Sequence, residues 1–487
     1  MLSTAFRHES HELQESHELI EYAKTRLEDL ERLRNLGLVC RKGDFFPSVH
    51  YPPITMYPPM TDDELLASYT MPEDGRLDVY AHIPFCRQRC VFCHYPLKLG
   101  INQGDEKDRY LSAFEKEMDI YMSKLGIDRI IARSILVGGG TPTYLSLKQQ
   151  KRFLDMMANR IDMSTCRQYT FDVDPNTLLG EEGRERLRML RDYGTDRLTI
   201  GIQSLDDEIL RLMNRHHNAA QAIESIEETH KVGMTVNIEF IFGFPGQTVE
   251  GWADMIERAC QLDVEEIQLY RLKIDAYGDY QGPVKKLITK RPDLVPTIEQ
   301  TVIMKQVAID ILARHGYTEN LRRVFSKEYK HHSRYAHNQC CRLLDQIGFG
   351  LTAFSSLRDR FALNTQHFDE YYSLIESGHL PINRGIIRSP EEQMRWAIIL
   401  PLKNRSARKS DFLRATGKPM EHYFRAKIAK LQDAGLVVED EERLVLTKLG
   451  AFFADEVVQQ FQHPDYIHYP VDHYDAGPLH PCNDCAP

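Results

Sequence analysis

Cys86, Cys90 and Cys93 stand at C-x3-C-x2-C spacing directly after the run Tyr80-Ala81-His82-Ile83-Pro84-Phe85. Soft thiolates in such a group select an iron–sulfur cluster or zinc. A four-iron cube normally takes four cysteines, and only three are local here, so one iron would be left open to an exogenous chelator. Two other readings stay open at this point: a zinc site with a distant fourth ligand, and three unligated core thiols. Arg87 and Arg89 lie between the thiols and suit either metal, because neighbouring cations lower a thiol's pKa and offset cluster charge.

Further along, Gly138-Gly139-Gly140-Thr141-Pro142 offers a backbone that a ligand can approach closely, since glycine has no Cβ. Asp172 and Glu239 could take ribose hydroxyls, with Gln203 and Arg215 as polar partners. This set suits S-adenosylmethionine (SAM). Its amino and carboxylate groups chelate an open iron, and reduction can cleave its sulfonium to a 5′-deoxyadenosyl radical, chemistry that a cofactor supplies and a protein positions.

These residues need a scaffold that brings them to one place. Short β-branched runs near 78–83, 134–138, 168–173, 197–202, 235–241 and 265–271 alternate with helical stretches such as 106–124, 147–160 and 248–261. That alternation predicts an α/β fold with a parallel sheet, a partial (β/α)6 TIM-like barrel. The Cys loop, the glycine run, Asp172-Val173-Asp174-Pro175, Gly201-Ile202-Gln203-Ser204, Glu239 to Gly246 and Tyr270 each lie at or just past a strand end, where the loops of a barrel converge on one mouth.

Around this barrel, assigned to 76–285, the pattern predicts a helical extension and linker over 1–75, with an amphipathic helix over 10–37 ended by Gly37 and an extended linker from Phe46 to Met60. A mixed region over 286–385 completes the barrel side and covers the site. Helices at 391–399, 406–415 and 419–434, then Gly435 and two β-runs about the acidic turn Glu439–Glu442, predict a winged-helix-like α+β domain over 386–462. An irregular tail fills 463–487.

With 487 residues, a formal charge of −10 and a mean hydropathy of −0.44, the chain reads as a soluble protein without the basic excess of a dedicated nucleic-acid binder. It has no apolar signal core and no run long enough to span a membrane, so the expectation is cytoplasmic. Its ten cysteines then suit free thiols or metal ligands. Cys482 and Cys485 have no second C-x-x-C to complete a four-ligand site; Cys340 and Cys341 are the paired candidates elsewhere, but adjacent cysteines point in different directions, and Cys40, Cys166 and Cys260 read as core or surface thiols. His8, His11 and His17, interleaved with Glu, read as a solvated face. Lys403, Arg405, Arg408, Lys409, Arg414, Lys418, Arg425, Lys427 and Lys430 form a local basic patch that would favour nucleic acid, but no recognition helix rich in Arg, Asn or Gln accompanies it.

The three cysteines with Tyr80 to Phe85, Gly138 to Thr143, Gly201 to Ser204, Leu212-Met213-Asn214-Arg215, Gly243 to Thr248 and Ile347-Gly348-Phe349-Gly350 resemble the radical SAM superfamily. More specifically, they resemble its oxygen-independent coproporphyrinogen oxidase (HemN-like) family over about 78–460. The resemblance implies a [4Fe–4S] cluster on Cys86, Cys90 and Cys93. It also implies a first SAM held through Gly139, Gly140, Asp172, Gln203, Arg215 and Glu239, with Tyr80, Phe92 and Thr141 in the same cofactor site. A second SAM is implied near Tyr270 and the loop from Phe349 and Gly350 to Phe354. The partners implied are a small-molecule or tetrapyrrole substrate and an electron donor such as flavodoxin or ferredoxin. The sequence departs from the family pattern in having Asp at 172 where Glu is usual and Glu at 239 where Asp is usual. The coproporphyrinogen dehydrogenases resemble C-x3-C-x2-C-x-C, whereas Cys93 is followed by His94 and Tyr95. The haem chaperones carry His-Asn-x-x-Tyr-Trp, whereas this chain reads His337-Asn338-Gln339-Cys340-Cys341-Arg342. What is left resembles the methyltransferase and cyclopropane-forming branch, so the expected reaction transfers a methyl or methylene unit from a second SAM. Oxidative decarboxylation, haem binding without turnover and nucleic-acid binding are the alternatives.

Overall fold

Alternation of apolar and polar residues along the strands sets the architecture. In the computed structural model, which describes residues 18–39, 50–93, 95–100, 104–272 and 283–463, six strands run parallel in sequential order. They are β1 (Arg76–Ile83), β2 (Ile130–Gly139), β3 (Tyr169–Val173), β4 (Arg197–Gln203), β5 (Thr235–Phe242) and β6 (Glu266–Arg271). Successive side chains point to opposite faces. One face carries Val79, Ala81, Ile135, Val137, Leu198, Ile200, Ile238, Phe240, Ile267 and Leu269, all buried in one apolar cluster with the surrounding helices. The other face carries Asp78, Tyr80, His82, Thr170, Asp172, Thr199, Asn237, Glu239, Gln268 and Tyr270, so the concave side of the sheet is polar.

The helices begin where the sequence supplies caps. Leu147–Arg160 starts on a capping box between Ser146 and Gln149, and Val249–Cys260 starts on Thr248, whose hydroxyl accepts from Gly251. Gly104–Leu125, the longest among the described residues, packs against the strand Gln346–Phe349 and the helices Leu147–Arg160 and Phe368–Glu376.

The six strands sit in the middle of an open sheet of 13 strands. Beyond β1 come Gln346–Phe349, parallel to it, and then the antiparallel Phe354–Leu357, Arg360–Asn364 and Ile382–Ile387; beyond β6 comes the hairpin Thr318–Leu321 and Val324–Ser326. The sheet does not close, as expected of a partial barrel. Side chains seal its base instead. Arg334 N donates to Gln168 Oε1 at 2.8 Å, Gln168 Nε2 to His332 O at 3.2 Å, and Asn338 Nδ2 to Asp78 Oδ1 at 2.9 Å. The buried Arg197–Glu266 ion pair lies nearby, with Ser326 Oγ donating to Glu266 Oε2 at 2.9 Å. Removing one partner strands the other's charge in the interior, so Glu266→Ala is expected to cost about 3–5 kcal/mol in urea unfolding; a loss under about 1 kcal/mol would show that Arg197 finds another partner or water.

Outside the barrel three expectations need correction. The helix expected over 10–37 is, in its described part, two pieces: a helical stretch at 18–23 and the helix Thr25–Asn35. Thr25 Oγ1 donates to Tyr22 O at 2.7 Å, a back-bond that interrupts helix geometry. The linker expected from Phe46 to Met60 is packed from residue 50 onward. Ile54 and Tyr57 are buried against Phe361 and Leu363, because aromatic and apolar side chains gain more from the sheet than from water. The helix expected over 406–415 starts only at Lys409, since Ser406–Arg408 pairs antiparallel with Arg443–Leu446. With Val437–Glu439 these strands make the wing beside helices Lys409–Thr416 and Met420–Asp433, giving the winged-helix-like arrangement expected. Leu30, Leu33 and Leu38 join a cluster that holds Val302 beside the barrel and Leu431, Phe452 and Val458 of the C-terminal region, so the N-terminal helix bridges the two. Among the described residues no helix is long and apolar enough to cross a membrane. His8, His11, His17, Cys40, Cys482 and Cys485 lie outside the described residues.

Candidate active site

The Cys loop leaves β1 at the C-terminal end of the strands and is held mainly by bonds that do not use sulfur. Thr141 N donates to Phe85 O and Gly140 N to Ile83 O, both at 2.9 Å, and Val91 N donates to Met213 O at 3.1 Å. Asn214, in the left-handed region at φ +57°, clamps the loop from the other side: its Nδ2 donates to Arg89 O at 2.7 Å, and its carbonyl accepts from Gln88 Nε2 at 2.8 Å. Phe92 packs beside Val91, Met213 and Tyr270 in a small apolar cluster under the loop.

All three thiols are free and partly accessible. Cys86 Sγ lies 3.4 Å from Thr141 Oγ1. Burial pushes the Cys86 thiol up to about 12 and the Cys93 thiol up to about 11, the latter helped by Cys90, so both stay protonated near pH 7 unless a metal displaces their protons. The cation at the sulfurs is Arg215, whose Nη1 donates to Cys90 Sγ at 3.1 Å. Of the two loop arginines, Arg87 is exposed, while Arg89 acts on the Cys93 thiol through its charge and its Nη1 donates to the carbonyls of Cys93 and Tyr95 at 3.3 and 3.0 Å. Tyr95 occupies the position of the additional cysteine in the C-x3-C-x2-C-x-C pattern, and its ring lies 6.0 Å from that of His82.

The glycine run has no room for side chains. A Cβ on Gly140 would come 2.8 Å from Phe85 O and 3.0 Å from Cys86 Sγ, and Gly139, at φ +115°, lies against the His82 ring. His82 is buried, which holds its imidazole neutral at about 3, and Tyr80 OH lies 2.9 Å from its Nδ1.

Asp172 and Glu239 flank β4. Burial first and then Glu239's charge push Asp172 up to about 7, and burial likewise raises Glu239, against a hydrogen bond from Tyr270 OH at 3.3 Å. A β-irregularity between Ile200 and Gln203 puts Gln203 at φ +74° and turns its side chain into the same space, where its buried Oε1 has no partner. Because Asp172 has a folded-state pKa above its unfolded value, the folded chain binds the extra proton between about pH 4 and 7. Stability must therefore fall as pH rises through that window and level off above it. Asp172→Asn is expected to flatten that decline in urea unfolding between about pH 5 and 8; an unchanged slope would place the titration elsewhere.

The geometry brings together Cys86, Cys90, Cys93, Tyr80, Gly139, Gly140, Thr141, Asp172, Gln203, Arg215, Glu239 and Tyr270. It does not bring in the Phe349 side chain, which is fully buried and packs its ring against Phe114 and Tyr121 on the helix side of the sheet. Gly350, at φ +98°, is squeezed between Tyr110 and the backbone of His82, where a Cβ would come 2.4 Å from the tyrosine oxygen. That loop reaches the site through Thr352, 3.4 Å from His82 Nε2, and Phe354, stacked on Tyr80 at 6.1 Å. The sequence did not single out His82, Asp174 or Tyr335, whose ring lies 6.3 Å from Tyr80, and it offered Thr352 only as part of the Phe349 to Phe354 loop. Strand alternation carries the signal for two of them, since His82 shares a face with Tyr80 and Asp174 follows Asp172 by two.

The donors fit a cube open at one iron: three thiols on one loop, a glycine turn without room for side chains beside them, a buried cation on one sulfur, and an unpartnered amide oxygen and two acids within the same mouth. Among the described residues no three His, Cys, Asp or Glu side chains are gathered as a single-ion site requires. The family profile of the radical SAM superfamily matches residues 80–259, and that of the HemN C-terminal domain matches 389–453. The chain is 28% identical over 389 residues to the heme chaperone HemW of Bacillus subtilis, covering 78% of this chain and 98% of that one. It is 27% identical over 337 residues to the oxygen-independent coproporphyrinogen III oxidase of Escherichia coli, covering 67% and 71%. The solved coproporphyrinogen III oxidase HemN of Escherichia coli shares the fold, with a TM-score of 0.71 at 24% identity over 84% of this chain and 96% of that one. With both its barrel and its C-terminal region matched, the chain belongs to the radical SAM superfamily and, within it, to the HemN-like family, whose cofactors are a [4Fe–4S] cluster and SAM.

Proposed function

We propose that Cys86, Cys90 and Cys93 hold the [4Fe–4S] cluster, that SAM is cleaved there, and that the reaction moves a methyl or methylene unit from a second SAM to a small organic or tetrapyrrole substrate. Bound there, the cluster would supply an electron to the sulfonium of SAM and so release a 5′-deoxyadenosyl radical. The observation that carries the reading is the docking of the thiol loop against Gly140, with Arg215 on the Cys90 sulfur. Asp172, Glu239 and the unpartnered Gln203 Oε1 would take the hydroxyl and amino groups of SAM, and Tyr80, Phe92, Gly139 and Thr141 would line its place. Tyr95, in place of the additional cysteine, favours transfer over oxidation. Tyr270, Thr352 and Phe354 face the space left for a second SAM or the substrate. Electrons would come from a donor such as flavodoxin or ferredoxin.

A haem-chaperone reading is favoured by the names of two relatives, but the His337-Asn338 pair is engaged elsewhere. Asn338 bonds Asp78 at the barrel base, and the His337 ring lies 5.1 Å from that of His332, where burial holds it neutral at about 4. The basic patch that would favour nucleic acid is partly neutralised: Lys409 pairs with Glu421 and Glu439 at 3.2 and 2.7 Å, Arg414 with Asp411 at 2.7 Å and Arg405 with Glu319 at 3.3 Å, and Lys403 is buried. The test is anaerobic reconstitution, an assay for 5′-deoxyadenosine and a haem titration on the same protein. The expected outcome is SAM cleavage without stoichiometric haem binding. Stoichiometric haem that is lost in His337→Ala, with no 5′-deoxyadenosine, would establish the chaperone instead.

A further inference from the structure

We propose that Asp174 is a positioning residue that aims the Arg215 guanidinium at the Cys90 sulfur and thereby sets the reduction potential of the cluster, an inference that rests on the cluster assignment above. The two side chains form one buried device. Arg215 is only 10% exposed and Asp174 6%, and Arg215 Nη2 donates to Asp174 Oδ2 at 2.9 Å while Nη1 points to sulfur. Nη2 also donates to Gly201 O at 2.5 Å, so one nitrogen anchors the fork and the other is delivered. Asp174 is itself pinned. Its Oδ1 accepts from Asn176 N at 3.1 Å at the start of the turn Pro175–Leu178 and faces His216 Nε2 at 3.2 Å.

The backbone prepares this approach from both sides. Asn214 at φ +57° ends the preceding helix, with Arg215 N donating to Leu210 O at 2.9 Å, and Gly201 leaves space where a Cβ would meet Gln203 Nε2 at 3.1 Å. The consequence is electrostatic. Hydrogen bonds to cluster sulfurs, net charge and solvent exposure set iron–sulfur potentials. A guanidinium buried at 3.1 Å from a thiolate sulfur favours the more negative, reduced state, and water screens it little. Exposed Arg87 has no comparable leverage. A residue that orients such a donor belongs to the outer shell that tunes a metal centre.

The test is an EPR-monitored redox titration of the full chain, reconstituted anaerobically and kept free of SAM so that substrate contacts of Arg215 do not enter. Arg215→Gln is expected to lower the midpoint potential and Asp174→Ala to bring it below that of Asp174→Asn, which sheds the same negative charge, while the double variant lowers it no further than Arg215→Gln, because both remove one interaction. Asp174→Asn can still accept from Arg215 while shedding a negative charge, so its potential is expected at or above that of the unaltered protein; this conservative variant also guards against loss of folding. Equal potentials in Asp174→Ala and Asp174→Asn alongside a shift in Arg215→Gln would overturn the aiming role. Additive shifts in the double variant would overturn it equally, and an unmoved potential in Arg215→Gln would remove Arg215 from the cluster altogether. Failure of the unaltered chain to take up iron would instead strike the cluster assignment, which separates the two failures.

Discussion

Replacing Cys86, Cys90 and Cys93 together with Ala is expected to remove nearly all reconstituted iron and to reduce SAM cleavage to background, while the circular dichroism and urea unfolding of the apo chain stay close to those of the unaltered protein. Loss of function and retention of fold are both argued from the loop. Its backbone is anchored through Thr141 N to Phe85 O, Val91 N to Met213 O and the exchange between Asn214, Gln88 and Arg89, none of which uses sulfur. Sulfur enters only two of the loop's contacts described above, Cys86 with Thr141 and Cys90 with Arg215. A typical hydrogen bond contributes about 0.5–1.5 kcal/mol net, so their removal leaves the domain folded. Single variants should fall nearly as far, because a cube already open at one iron loses a second protein ligand. Iron that stays bound and still responds to SAM in the triple variant would disprove the assignment. Zinc bound to the unaltered chain in place of iron would revive the zinc reading left open by the spacing.

Most of the barrel was legible because two signals coincide in it. β-branched runs of strand length alternate with capped helices, and a parallel sheet buried on one face leaves a strong apolar record, as in Val79, Ala81, Ile135 and Val137. The winged-helix-like order was legible for the same reason, save at Ser406–Arg408. A three-residue edge strand carries too little pattern to outweigh helical neighbours, and its pairing with Arg443–Leu446 is non-local. The site was legible wherever a residue's type announced its chemistry: thiols, glycines and carboxylates at strand ends. It was not legible where a common residue acquires a role from the partner it meets. Phe349 was implied as a site residue only by the family resemblance, yet Tyr110 and Glu117 hold the adjacent Gly350 turn and the Phe349 ring lies in the core. Asp174 was passed over because its importance lies in Arg215, 41 positions away in the chain.

The reaction outcome divides on what happens to a second SAM, and the expected result is that turnover of the true substrate releases S-adenosylhomocysteine together with 5′-deoxyadenosine, with label carried from methyl-labelled SAM into the product. A dehydrogenase-type reaction spends SAM only as a radical source and leaves 5′-deoxyadenosine and methionine. A methyl or methylene transfer must also leave the demethylated sulfur compound. The two courses therefore differ in kind, and mass spectrometry of one reaction mixture separates them. On the chain's side, transfer requires both SAM molecules and the substrate within a few ångströms of one another, because only near-attack placement converts encounter into reaction. The mouth has side chains for that arrangement. Asp172, Glu239 and Gln203 lie toward the Cys loop, while Tyr270, bonded to Glu239 and covered by the Arg323 guanidinium at 5.2 Å from its ring, continues the polar surface across β6. Tyr95 and Thr352 approach His82 from opposite loops. Tyr270→Phe should then lower label transfer by more than it lowers 5′-deoxyadenosine formation, since it sits beyond the acids proposed for the first SAM. Turnover with neither homocysteine product nor label in the substrate would remove the transfer reading and restore the oxidative one.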